Sequence, residues 1–238
     1  MLKKLLKILG GTLALLLLAF AVFVWWSLQP RLEPRALPDD LVAVTADRGQ
    51  ALLTQASAAA DYGPLSAHFE PQTLKSYCGV ASGVAVLSAI GLDDDQSSFF
   101  NSEAEQVRPR ISVMLGGMSL EELAGLLRAH GAIVNVHHAD GFTVEEFRDA
   151  VATNLGNERD YLVVNYQREV LGQSRVGHIS PLAAYDADSD LVLVMDTASH
   201  YYPHTWVPLE KLYAAMATTD PSSGKQRGYL RVTGDDDW

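Results

Sequence analysis

The chain has 238 residues, with 29 acidic against 18 basic side chains for a formal charge of −11, and 48% of it is hydrophobic. That apolar content argues against a disordered chain, and one domain of this size buries a substantial core. All 29 acids and 15 of the bases fall in residues 31–238, a formal charge of −14, which sets nucleic acid aside as a partner.

From residue 8 to residue 28 the chain is uncharged and almost unbroken Ala, Leu, Val, Phe and Trp, with Lys3, Lys4 and Lys7 just ahead of it. At about 1.5 Å per residue, a helix of this length crosses a hydrocarbon core of roughly 30 Å. Trp25 and Trp26 at its far end suit the membrane–water boundary. Ala19-Phe20-Ala21 offers the small-x-small pattern of a cleavable signal peptide, but the apolar run continues past it. The expectation is an uncleaved anchor: residues 1–7 as a cytosolic basic stub, 8–28 as one transmembrane helix, and the rest outside by the positive-inside rule. In a bacterium that is a single-pass inner-membrane protein with a periplasmic or extracytoplasmic body. Residues 29–45, with Pro30, Pro34 and Pro38, read as a linker, and residues 46–238 as the folded domain.

The first clear element of that domain is a helix from Cys78, in which Val80, Val84, Leu87 and Ile90 recur at helical spacing and Gly91 follows as a cap. Ser119-Leu-Glu-Glu122 is a capping box for a helix that Gly131 closes, and residues 132–137 alternate like a strand. Thr143-Val-Glu-Glu146 is a second box, with its helix running to about residue 153. Strands are predicted at 161–166, 178–185 and 191–195, a helix at 209–216 behind Pro208, and a closing strand at 228–232. Helices come mainly first and antiparallel strands mainly later, so the fold class is α+β.

Cys78 is the only cysteine, so it forms no internal disulfide and is either inert or functional. A sulfur at a helix N-terminus sits beside unpaired N–H groups, which favour the thiolate. Gly79 lets a substrate backbone come close. Gln72, six positions upstream, is placed to donate its amide to the oxyanion of a tetrahedral intermediate, together with the Cys78 N–H. His178 lies on the strand that ends at Tyr185, and Asp196 ends the next one. A hairpin pairing Tyr185 with Asp190 puts residue 178 opposite residue 197, so Asp196 falls beside His178 and can orient the imidazole as it takes the thiol proton. The order Gln, Cys, His, Asp is that of papain-like enzymes.

Tyr77-Cys-Gly-Val-Ala-Ser82, Gly177-His-Ile-Ser-Pro-Leu-Ala-Ala-Tyr185 and Met195-Asp196 resemble the phytochelatin synthases, the glutathione γ-glutamylcysteinyltransferases, over about residues 72–232. The resemblance implies a papain-like fold in which Cys78 attacks the Cys–Gly bond of glutathione and releases glycine. The γ-Glu-Cys acyl group then passes to water or to a second glutathione. His178 would be the acid/base, Asp196 its orienter and Gln72 the oxyanion donor. Arg168 and Arg227 stand in family-like settings, and guanidinium groups grip carboxylates at two points, so both are expected to hold the γ-Glu end. The plant members carry a further cysteine-rich region, absent from this sequence, so hydrolysis is expected ahead of transfer. The expected partners are glutathione and the membrane, with a homodimer left open. No tightly bound cofactor is expected; a heavy metal such as cadmium, zinc or copper would arrive as its glutathione thiolate complex.

Other patterns carry less. His200 and His204 are separated by a helix-breaking Pro203, and His137-His138 lack thiolate partners, so no metal site is assigned to either pair. The acids at 93–95 and 235–237 read as solvated loop and tail. Two other readings compete: a papain-like peptidase for leader peptides ending in Gly-Gly, and an anchored domain with a vestigial triad.

Overall fold

The computed structural model describes residues 2–92 and 95–234. Asp93, Asp94 and the tail acids Asp235–Asp237 thus lie outside the described residues. A long helix, α1 (Leu2–Leu28), precedes the body, and its stretch Leu9–Leu28 is long and apolar enough to cross a membrane.

The body is α+β. Its strands are β1 (Val42–Ala43), β2 (Ile133–His138), β3 (Asp160–Gln167), β4 (Gly177–Asp186), β5 (Leu191–Val194), β6 (Thr205–Pro208) and β7 (Gly228–Thr233). They form one sheet in the order β1-β6-β5-β4-β3-β7-β2, with every neighbouring pair antiparallel. Helices cover both faces. On one side lie α2 (Asp47–Gln55), α3 (Tyr62–His68), α4 (Cys78–Ala89), α5 (Ala104–Val107), α6 (Arg110–Gly116) and α7 (Leu120–Arg128); on the other lie α8 (Val144–Asn154) and α9 (Leu209–Met216). Because strand side chains alternate, Tyr161 and Val163 of β3 face the α4 layer while Leu162, Val164 and Tyr166 face α9. Both faces being covered, β3 is buried along nearly its whole length, as is β4.

α4 is the helix the spacing called for, and it is buried on every side from Gly79 to Leu87. Small residues allow that burial: a Cβ at Gly83 would stand 2.9 Å from the Phe99 ring. Gly91 ends the helix at φ +90°, a left-handed conformation that glycine adopts without strain. Both capping boxes are present, at Ser119 with Glu122 and at Thr143 with Glu146. A buried helix that opens at a cysteine and packs on an antiparallel sheet is the arrangement the papain-like reading requires.

Three features differ from expectation. Tyr185 pairs with Val192 and Asp186 with Leu191, and a bulge between Leu182 and Ala184 shifts the register again. Asp190, expected opposite Tyr185, belongs to the turn at φ 52°, where Tyr185 and Arg148 bind its carboxylate. The stretch read as a linker lies along the body: Glu33 and Arg35 donate backbone bonds to His200 and Tyr201, Leu41 and Val44 are buried, and β1 edges the sheet. Finally, α2, α3, α5, α6 and β6 carry little periodic signal and were not anticipated.

Candidate active site

Cys78 begins α4, so its sulfur sits among the N–H groups that a helix start leaves without partners. It is half-buried and faces a cavity of about 330 Å³. His178, second residue of β4, and Arg227 line the same cavity. The link between helix and strand is Ser82, one turn into α4, whose Oγ lies 2.8 Å from the Cys78 carbonyl oxygen and 3.1 Å from that of Ile179. A buried hydroxyl thus ties the first turn of α4 to the residue after His178.

Asp196 reaches His178 although the hairpin register differs from the predicted one. β5 stops at Val194, and Met195 donates its N–H to the Pro181 carbonyl, turning the chain back beside β4. His178 Nε2 is then 3.0 Å from Asp196 Oδ1. The same oxygen accepts from Arg168 Nη2 at 2.6 Å and from the Ala198 N–H at 2.8 Å. With Nε2 committed to Asp196, Nδ1 is the nitrogen left for proton exchange. Tyr166 packs edge-on against the imidazole, with ring centroids 5.7 Å apart.

The electrostatics follow from burial around one fixed cation. Burial pushes the Asp196 carboxyl up, but Arg168 and His178 outweigh it and hold it well below the usual carboxylate range. Burial and the Arg168 charge push the His178 imidazole down to about 4, against the upward pull of Asp196. Burial pushes the Cys78 thiol up, opposed by backbone hydrogen bonds from Ile179 and Gly79 and by Arg168. These interactions favour the thiolate, yet desolvation outweighs them. Both shifts, the thiol up and the imidazole down, run against a thiolate–imidazolium pair.

Several expected roles change in this geometry. Gln72 is buried, and both hydrogens of its amide are engaged, by the carbonyls of Leu74 at 2.9 Å and Lys75 at 2.8 Å. It reaches an oxyanion only by releasing that turn. The space above Gly79 is filled by Met118, whose sulfur lies 2.6 Å from where a Cβ would stand, so a substrate backbone does not approach there. Arg168 is not a cavity residue. It is 3% exposed, bonded to Asp196 and to Gln173 Oε1 at 2.6 Å, with Tyr202 under its guanidinium at 5.1 Å. Arg227 does line the cavity. Its Nη1 donates to Thr219 O at 2.6 Å and Thr218 Oγ1 at 3.1 Å, while its buried Nε has no partner.

Facing the cavity with Arg227 is Asp220, which the sequence reading missed. Burial pushes its carboxyl up, but hydrogen bonds from Ser222 and Asn165 and the Arg227 charge bring it below the ordinary value. Asp220 stands in a turn seven residues before Arg227, and Thr219 and Gln226 bridge across that turn. Among the described residues no group of three or more His, Cys, Asp or Glu side chains is placed to hold a metal. His204 packs edge-on against Phe69 and His137 stacks on Tyr229.

Known proteins are similar to this chain in sequence. A family described as Phytochelatin synthase matches residues 32–229. Glutathione gamma-glutamylcysteinyltransferase 3 of Lotus japonicus is 34% identical over 175 residues, covering 71% of this chain and 36% of its own. Glutathione gamma-glutamylcysteinyltransferase 1 of Arabidopsis thaliana is 32% identical over the same shares. The Schizosaccharomyces pombe glutathione gamma-glutamylcysteinyltransferase is 24% identical over 205 residues, 82% of this chain and 50% of its own. This chain thus spans about a third of the length of the plant relatives, 36% for the first two. Among solved structures, a double glycine motif protease from an AMS/PCAT transporter, in complex with its leader peptide, superposes with a TM-score of 0.43 at 14% identity, over 69% of this chain and 89% of that one.

Proposed function

The chain belongs to the phytochelatin synthase family, and from that premise we propose that it cleaves glutathione at the Cys–Gly bond through a γ-Glu-Cys thioester on Cys78. The observation that carries the proposal is the content of one cavity: Cys78 and His178 stand in it together with Asp220 and Arg227, buried groups of opposite charge. The γ-glutamyl end of glutathione carries an α-ammonium and an α-carboxylate. A carboxylate beside a guanidinium matches that zwitterion, and the pairing selects a γ-linked glutamate over an ordinary peptide carbonyl flank.

The chemistry runs on the protons already placed. His178 Nδ1 takes the Cys78 proton as sulfur attacks the Cys–Gly carbonyl carbon. The imidazolium that forms is stabilised by Asp196. The N–H of Cys78 faces the developing oxyanion. Collapse breaks the C–N bond, and His178 returns the proton to the departing glycine amine. Water or the amine of a second glutathione then attacks the thioester, losing its proton to His178, and the Cys78 thiol is regenerated. A heavy metal enters this scheme as substrate, bound by glutathione thiolates. The apolar stretch Leu9–Leu28 supports a single-pass inner-membrane location with the body on the outer side.

Mass spectrometry of glutathione incubations, with and without cadmium, tests the reading. Glycine and γ-Glu-Cys release that vanishes in Cys78→Ala is the expected result, and products longer than glutathione add transfer to hydrolysis. A folded, reduced protein that releases no glycine removes glutathione as the substrate and turns attention to Gly-Gly peptides.

A further inference from the structure

α6 carries an apolar stripe that the catalytic reading does not use. Ile111 and Leu115 are 58% and 67% exposed, and Met114 lies between them on the same face by helical spacing. Met114 and Leu74 face α1 across an apolar cleft of about 360 Å³ lined by Phe20, Ala21, Val24, Trp25 and Leu28. Ala21 precedes the end of α1 by seven residues, about 10 Å along its axis. A body residue that faces Ala21 and Val24 therefore lies below the point where α1 ends. If α1 crosses a bilayer with Trp25 and Trp26 at the boundary, that depth is the headgroup–acyl border.

Two cations stand at the end of α1. Lys75 donates its backbone N–H to Leu28 O at 3.0 Å and its ammonium to Ser27 O at 2.7 Å, and the Arg31 guanidinium lies 4.4 Å above the Trp26 ring. Such long side chains hold their charge at the aqueous border while their stems run along apolar surface. Lys75 also lines the Cys78 cavity, as do Gly116 and Gly117 at the end of α6. The segments fastened to the membrane helix are thus the walls of the cavity.

We propose that Ile111, Met114 and Leu115 form a foot seated in the bilayer interface, which holds the catalytic body on the membrane with its cavity at the lipid surface. The occupant is lipid rather than a second copy because the stripe continues directly from the membrane helix. Its docking is apolar, since a body of formal charge −14 (29 acids against 15 bases in residues 31–238) gains nothing from anionic headgroups. The inference rests on α1 crossing the bilayer and not on the cleavage reaction.

The test uses the full chain carrying Cys78→Ala, reconstituted in phosphatidylcholine vesicles containing lipids with a shallow nitroxide. Single cysteines at Ile111, Leu115, Val24 and Asp188 are labelled in turn with a small environment-sensitive fluorophore. Asp188 is exposed in the turn after β4, at the end of that ten-residue strand opposite the cavity. Labels at 111 and 115 should lose about half of their emission or more to the nitroxide, as an interfacial segment does. The label at 188 should not, and high salt should leave the pattern unchanged. Quenching at 24 with none at 111 or 115 overturns the foot and leaves the span intact. No quenching at 24 removes the span, and the foot with it. Energy transfer between copies labelled at 111 shows a second copy on the stripe and also overturns the proposal.

Discussion

Replacing Arg168 with Met separates two roles for this residue. Its side chain and that of Asp196 are each 3% exposed and joined at 2.6 Å, so the substitution leaves a carboxylate buried without its strongest partner. Breaking one side of a buried pair costs about 3–5 kcal/mol, a large part of the roughly 5–15 kcal/mol that holds a domain together. Loss of the Gln173 bond adds to the cost. The catalytic consequence has a definite sign. Arg168 repels the imidazolium, and with burial it keeps His178 down at about 4. Removing that charge favours the protonated ring, so the acid limb of kcat/KM for glycine release must move up in pH. Arg168→Lys should restore stability in part and move the limb less. Urea titration at low temperature gives the stability, and initial rates from pH 4 to 8 give the limb. A variant with an unchanged acid limb and unchanged stability but a raised glutathione KM would refute the positioning role and return Arg168 to substrate binding.

Arg227→Ala should raise the glutathione KM about tenfold or more with a smaller effect on kcat, as loss of a bidentate carboxylate grip does; Asp220→Asn should act in the same direction, and unchanged values would remove the pair from the site. Asp61 is fully buried, neither oxygen has a partner, and burial together with Asp160 pushes it up to about 8. It is therefore protonated in the fold where it is ionised in the unfolded chain, so its stabilising contribution is full below about pH 4 and is lost as pH rises towards 8. Asp61→Asn should flatten that slope in denaturant titrations and add a few kcal/mol near pH 7; a wild-type stability that does not fall over this range would contradict it. Since burial pushes the Cys78 thiol up, alkylation of the empty enzyme should be slower than that of free glutathione at pH 7 and still climbing above pH 9; a rate already level from pH 5 to 8 would mean a resting thiolate–imidazolium pair.

Cys78, His178 and Asp196 were legible because each stands at the end of a regular element whose period is plain: a helix start, a strand start and the chain just past a strand. Their mutual approach survived an error of register. The turn after Tyr185 takes Asp190 into a left-handed conformation, and the bulge at Leu182/Ala184 recovers part of the shift. Neither feature has a signature in the Asp-rich turn sequence. Gln72, Arg168 and Gly79 were recognised as special residues but given the wrong neighbours. Gln72 binds the carbonyls of Leu74 and Lys75 in its own turn, and Arg168 binds Asp196, 28 positions on and past the end of β5. Met118 fills the space over Gly79. The packed fold makes these choices and no periodicity announces them. Asp220 and Ser82 were missed for the same reason, since a turn Asp and a helix Ser are ordinary until the other side of the cavity is known.

The buried contact between Arg168 and Asp196 also explains how this carboxylate can stay ionised inside the protein. Asp196 must be charged to stabilise the imidazolium, yet a buried carboxylate alone would protonate. A buried guanidinium removes that difficulty, but after burial it is also the charge that pushes the His178 imidazole down. Glutathione, the proposed substrate, would change the balance, because its cysteinyl carbonyl brings the group on which negative charge develops next to Cys78. The proton would then move to His178 only as sulfur attacks that carbonyl, and pass on to the glycine amine as the thioester forms. A lone thiol kept protonated until its substrate arrives is also protected from oxidants, since the thiolate is the form they attack.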